Sequence, residues 1–137
     1  MSISLPPPLS WLLACIIGIA MAWPASAADV ELRLARGKTP KTVSGMWRGS
    51  NDTYVFTARK HQTLRLRLDQ GNGGSGRLDA TLYAYCGEEF GEPIASNVTQ
   101  SRLVLPCDGR YSIDISARAD SGIQRDEEAY TLIVGIR

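Results

Sequence analysis

The chain has 137 residues, 44% of them hydrophobic, and a formal net charge of +1, which is enough apolar material for one packed domain with no surplus of either sign. That balance, without any dense basic run, excludes nucleic acid as the expected partner. A single histidine and three cysteines leave too few ligands for a zinc site.

The first element in chain order is an export signal. Residues 1–27 carry no charged side chain, and the apolar run from Leu9 to Trp23 has the length of a signal hydrophobic region. It falls short of the roughly 20 residues a membrane span needs. Pro24 ends the run, and Ala25, Ser26 and Ala27 offer a signal peptidase the small side chains it requires. Cleavage is expected before Ala28, leaving residues 28–137 as one periplasmic or secreted domain with no transmembrane segment. No Lys or Arg precedes the apolar run, so an uncleaved N-terminal anchor stays open as the alternative. Leu12-Leu13-Ala14-Cys15 faintly resembles a lipoprotein cleavage box, but the apolar run continues past Cys15.

Beyond Ala28 apolar residues alternate with period two, the mark of strands whose side chains point to opposite faces of a sheet. Strands are predicted over 30–34, 53–58, 63–68, 78–86, 93–95, 102–105, 111–117 and 130–136. The clearest is Thr63-Leu-Arg-Leu-Arg-Leu68, with its leucines inward and Arg65 and Arg67 in solvent. Turn residues separate the runs, as in Arg36-Gly37-Lys38, Arg48-Gly49-Ser50-Asn51-Asp52 and Pro106-Cys-Asp-Gly109. The glycine-rich stretch 71–76 reads as a flexible hairpin loop. No segment carries a helical stripe, so the expected fold is all-β: an antiparallel sandwich of about eight short strands.

Cys15 leaves with the signal, and an oxidising compartment then favours pairing of Cys86 with Cys107. Closing that loop stabilises by about 3 kcal/mol on the chain-entropy estimate. The bridge is expected to tie the ends of two neighbouring strands.

Catalytic groups are not found. His61 stands alone in a turn, and no Gly-x-Ser-x-Gly elbow exists. Glu88, Glu89 and Glu92, and again Asp126, Glu127 and Glu128, are read as solvated loop charges, because paired-carboxylate hydrolysis needs a cleft. Weak calcium binding through Asp52, Asp79 or an acidic loop is the alternative. The expectation is a non-enzymatic protein with no cofactor and no metal site. The segment 118–128 is too long for a tight hairpin, and its Arg118 and Arg125 suit bidentate pairing with carboxylates on a partner.

The order of motifs resembles the periplasmic inhibitors of goose-type lysozyme. The resemblance rests on Val30-Glu-Leu-Arg-Leu-Ala-Arg-Gly37, Val43-Ser-Gly45, and the run Asp52-Thr-Tyr-Val-Phe-Thr-Ala58 continuing to Leu64. It continues in Leu105-Pro-Cys-Asp-Gly-Arg-Tyr-Ser-Ile113 and Ala129-Tyr-Thr-Leu-Ile-Val-Gly-Ile136. Asp79-Ala-Thr-Leu82 and Gly109-Arg-Tyr111 are also similar to the wider group of bacterial pre-peptidase C-terminal domains. Such modules bind carbohydrate, calcium or another envelope protein, which gives the second functional expectation. The inhibitor resemblance implies loops that enter the lysozyme's substrate cleft, with Arg118, Asp120, Arg125, Ser50 and Asn51 as the contacting residues. The family pattern Arg-Asn-x-Ala-Arg is not kept: Gly122 holds the second arginine's place, and Arg125 substitutes from further along.

Overall fold

A computed structural model describes residues 29–37, 39–70, 77–118 and 127–137. The expected signal, the glycine-rich stretch 71–76, Asp120 and Arg125 lie outside the described residues. The described strands are β1 (Val30–Glu31), β2 (Lys41–Trp47), β3 (Asp52–Ala58), β4 (Thr63–Asp69), β5 (Leu78–Ala84), β6 (Glu92–Val98), β7 (Gln100–Val104), β8 (Gly109–Ala117) and β9 (Glu128–Ile136). They form a five-stranded sheet ordered β1-β3-β8-β5-β6 and a four-stranded sheet ordered β2-β9-β4-β7. Among the described residues no helix is long and apolar enough to cross a membrane.

The inward rows are those that the period-two alternation marks. Tyr54 and Phe56 on β3, Leu64, Leu66 and Leu68 on β4, Leu82 on β5, Ile113 and Ile115 on β8, and Leu132 and Val134 on β9 are all buried between the sheets. Phe56 stacks on Tyr111 with ring centroids 5.4 Å apart. At about 25 cal/mol per Å² of apolar area removed from water, this shared layer is the main source of stability.

Cys86 and Cys107 are bonded, with Cα atoms 5.5 Å apart. They lie just past the end of β5 and just before β8, which are neighbours in the five-stranded sheet. Tyr111 secures the same corner, its hydroxyl donating to the Cys107 carbonyl and accepting from the Cys107 amide at 3.2 Å.

Three details differ from the sequence expectation. Strand β2 was not expected: Lys-Thr-Val-Ser-Gly-Met-Trp is mostly polar because it is an edge strand, paired only with β9. Strand β1 is two residues long and runs parallel to β3, with Val30 exposed and only Leu32 beyond it buried. Strands β4 and β5, on either side of 71–76, belong to different sheets and do not pair with each other.

Apart from β5–β6, every connection passes from one sheet to the other. Connections therefore gather at two ends. The disulfide, the β3–β4 turn with His61 and the β5–β6 loop share one end, and the β2–β3, β4–β5 and β8–β9 connections share the other.

Candidate functional site

Register places the candidate residues. Trp47 at the end of β2 pairs with Glu128, Asp52 at the start of β3 with Ile115, and Leu78 at the start of β5 with Ala117. The connection 48–51 and the outgoing Arg118 are thus on adjacent strands at one end of the sandwich. Ser50 and Asn51 are exposed at the tip of the β2–β3 connection, where Gly49 takes a positive φ of 92° that favours glycine.

The bases of these loops are stitched together. Gln70 clamps the start of β5, its side chain accepting from the Leu78 amide and donating to the Leu78 carbonyl, both at 2.8 Å. The Arg118 amide donates to the Arg77 carbonyl at 2.8 Å. Arg48 pairs with Glu127 at 3.4 Å, Arg77 with Glu128 at 3.3 Å, and the Arg118 guanidinium lies 3.8 Å from the Asp79 carboxylate. The arginine of each pair stays substantially exposed, so the pairs contribute little to stability individually even though Asp79 is buried. Their effect here is geometric: Arg48 and Arg77 hold the incoming arm of the β8–β9 connection, and Asp79 holds its outgoing arm.

Beneath the loops a polar chain joins the two sheets. The Tyr130 hydroxyl donates to Asp52, which leaves it to accept from the Tyr54 hydroxyl at 2.6 Å. The two tyrosine rings meet edge to face with centroids 6.4 Å apart. Burial, then the hydrogen bond to Asp52, drives the Tyr130 hydroxyl far above the ordinary tyrosine range. Burial also raises Tyr54, partly offset by its bond to Tyr130. Gly45 on β2 makes room for this chain, since a Cβ there would overlap the Tyr130 hydroxyl. On the outer face of the five-stranded sheet, burial raises the Asp114 carboxyl, partly offset by the hydrogen bond from Thr53 at 3.0 Å.

Of the residues expected to contact a lysozyme, Ser50, Asn51 and Arg118 come together at this end, while Asp120 and Arg125 lie outside the described residues. Arg118 is half-exposed and drawn against Asp79. Sequence reasoning missed Arg48, Arg77, Gln70 and the Asp52–Tyr130–Tyr54 chain. The last left a trace, because alternation along β3 puts Asp52 on the inward row with Tyr54 and Phe56, where a carboxylate needs a donor. Asp52 and Asp79, considered for calcium, hold Tyr130 and Arg118 respectively. No group of three potential metal ligands gathers among the described residues.

This end can present short polar side chains and arginines from a rigid base, which is the equipment for docking onto a partner. Solved structures share the whole scaffold. PliG of Salmonella Typhimurium, a periplasmic inhibitor of g-type lysozyme, superposes with a TM-score of 0.60 at 21% identity, over 80% of this chain and 97% of that one. The chain resembles these inhibitors in fold. PliG of Aeromonas hydrophila gives 0.58 at 23% identity, covering 80% and 96%. The pre-peptidase C-terminal domain of a Bacillus anthracis collagenase gives 0.56 at 14% identity, covering 78% and 94%. No family model and no curated protein matches the chain.

Proposed function

We propose that this chain is an exported, non-enzymatic inhibitor of goose-type lysozyme, acting by occupying the enzyme's substrate cleft with the loop end of the sandwich. The observation that carries this reading is the shared fold, which spans nearly the full length of the PliG chains. The gathering of Ser50, Asn51 and Arg118 at one end, above loop bases pinned by Gln70, Arg48 and Arg77, adds support. A pinned base lowers the entropy lost on docking. In this reading Arg118 exchanges Asp79 for carboxylates in the enzyme cleft, and Asp120 and Arg125 extend the contact. Export to the periplasm or beyond places the protein where it meets a lysozyme and where Cys86 and Cys107 oxidise.

The test is a turbidity assay of goose-type lysozyme on bacterial cells with the purified protein. Clearing is expected to stop at molar excess of protein, and Arg118→Ala is expected to weaken inhibition about tenfold, as loss of an interface arginine does. Undiminished clearing at excess overturns the proposal.

The collagenase domain among the structural neighbours favours a second reading, an envelope binding module for carbohydrate, calcium or a partner protein. Under it lysozyme stays active. A calcium-binding version of the module gains melting temperature with calcium, because a ligand that binds only the native state stabilises it.

A further inference from the structure

The outward face of the four-stranded sheet holds a groove that the loop end does not use. It has a volume of about 470 Å³ and is lined by Arg65 and Arg67 of β4, Gln100 and Arg102 of β7, Ile133 of β9 and Pro40. Register sets Arg65 directly opposite Arg102, and Arg67 opposite Gln100. Arg65 and Arg67, two residues apart on one strand, share this face at a spacing of roughly 7 Å. Three arginines therefore line one stretch of the same sheet face.

Their charges are poorly compensated. Arg67 donates to Asp69 at 2.9 Å, but neither Arg65 nor Arg102 makes an ion pair among the described residues. Like charges directly across an antiparallel pair destabilise a sheet. An oxyanion seated between the two guanidinium groups removes that repulsion and accepts paired N–H donors from each. The neighbouring strand supplies a different surface. Gly135, opposite Arg65, has no side chain, and Pro40 packs beside it, 3.4 Å from where a Cβ would stand. With Ile133 this makes a shallow apolar shelf next to the cations, and Gln100 adds an amide at its rim.

We infer that this groove binds a phosphorylated saccharide, with the phosphate between Arg65 and Arg102 and the sugar ring lying on the Gly135–Ile133 shelf against Pro40. The charge calls for an oxyanion, and the shelf beside it, with an amide at the edge, fits the face and hydroxyls of a sugar. The site lies on a sheet face, away from the loop end, and does not depend on the inhibitor reading.

The experiment is calorimetric titration of the purified protein with glucose 1-phosphate, beside inorganic phosphate, glucose and phosphatidylglycerol vesicles in separate arms. Glucose 1-phosphate is expected to bind saturably, more tightly than inorganic phosphate, and more weakly as salt rises. Arg65→Gln and Arg102→Gln are each expected to weaken it about tenfold, the worth of one charge-assisted hydrogen-bonded contact. Both variants should melt no lower than the parent, since each removes a like-charge neighbour. Backbone amide shifts on titration should fall on β4, β7 and β9. Equal binding of inorganic phosphate, binding of vesicles alone, no binding in any arm, undiminished binding by both variants, or shifts confined to the loop end each overturn the inference.

Discussion

Replacing Tyr130 by Phe tests whether the polar chain beneath the loops holds the two sheets together. The substitution keeps the ring against Tyr54 and removes only the hydroxyl that donates to Asp52 and accepts from Tyr54. Tyr54 is buried, so its hydroxyl is left without a partner at a cost of about 1–3 kcal/mol. Asp52 also loses a donor, but it is only half-buried and water replaces part of that bond, so about 1 kcal/mol is assigned to it. The net loss is then about 2–4 kcal/mol, or a fall in Tm of roughly 8–20 °C for a domain of this size. Urea and thermal denaturation at neutral pH, followed by circular dichroism, measure it. Adding Tyr54→Phe removes the orphaned hydroxyl and should restore about 1 kcal/mol, so the double variant is expected to be more stable than Tyr130→Phe alone. A Tyr130→Phe protein within about 0.5 kcal/mol of the parent, which is the ordinary range for a surface change, refutes the reasoning. So does a double variant less stable than the single one.

Two further outcomes follow from the fold. Converting both Cys86 and Cys107 to Ser should cost about 3 kcal/mol, because the closed loop of 21 residues no longer restrains the unfolded chain; equal denaturation midpoints would contradict this. Asp114 holds its proton more tightly folded than unfolded, so the native state binds more protons in that range and its stability falls as pH rises from the ordinary carboxylate value upward. Asp114→Asn, which keeps an oxygen to accept from Thr53, should raise Tm at neutral pH and flatten that decline, and the gain should vanish below about pH 4; a gain that persists in acid would contradict the assignment.

The inward rows of this sandwich were plain in the sequence because each core strand alternates cleanly, as Leu64, Leu66 and Leu68 do against Arg65 and Arg67. What escaped were elements whose partners cancel the alternation. Strand β2 has one buried side chain, Trp47, and reads as polar because it is an edge strand paired only with β9. Asp79 and Thr81 on β5 are buried on the face that alternation assigns to solvent, where Asp79 meets Arg118 and Thr81 accepts from the Asn97 amide of β6. The loop end was legible as a set of candidate arginines and short polar residues. Its architecture was not, because the pairings of Arg48 with Glu127 and Arg77 with Glu128 join positions 79 and 51 residues apart, which only the sheet order brings together. The groove was written in Arg65 and Arg67, but Arg102 becomes their neighbour only through the β4–β7 register.

The proposed inhibition requires the loop end of this protein to fill the substrate cleft of a goose-type lysozyme. Calorimetric titration of that enzyme with the purified protein, with and without a peptidoglycan oligosaccharide held in the cleft, tests it most directly. Saturable binding that the oligosaccharide displaces and that Arg118→Ala weakens is the expected result. Absence of a complex, or a complex indifferent to the occupied cleft, would contradict it.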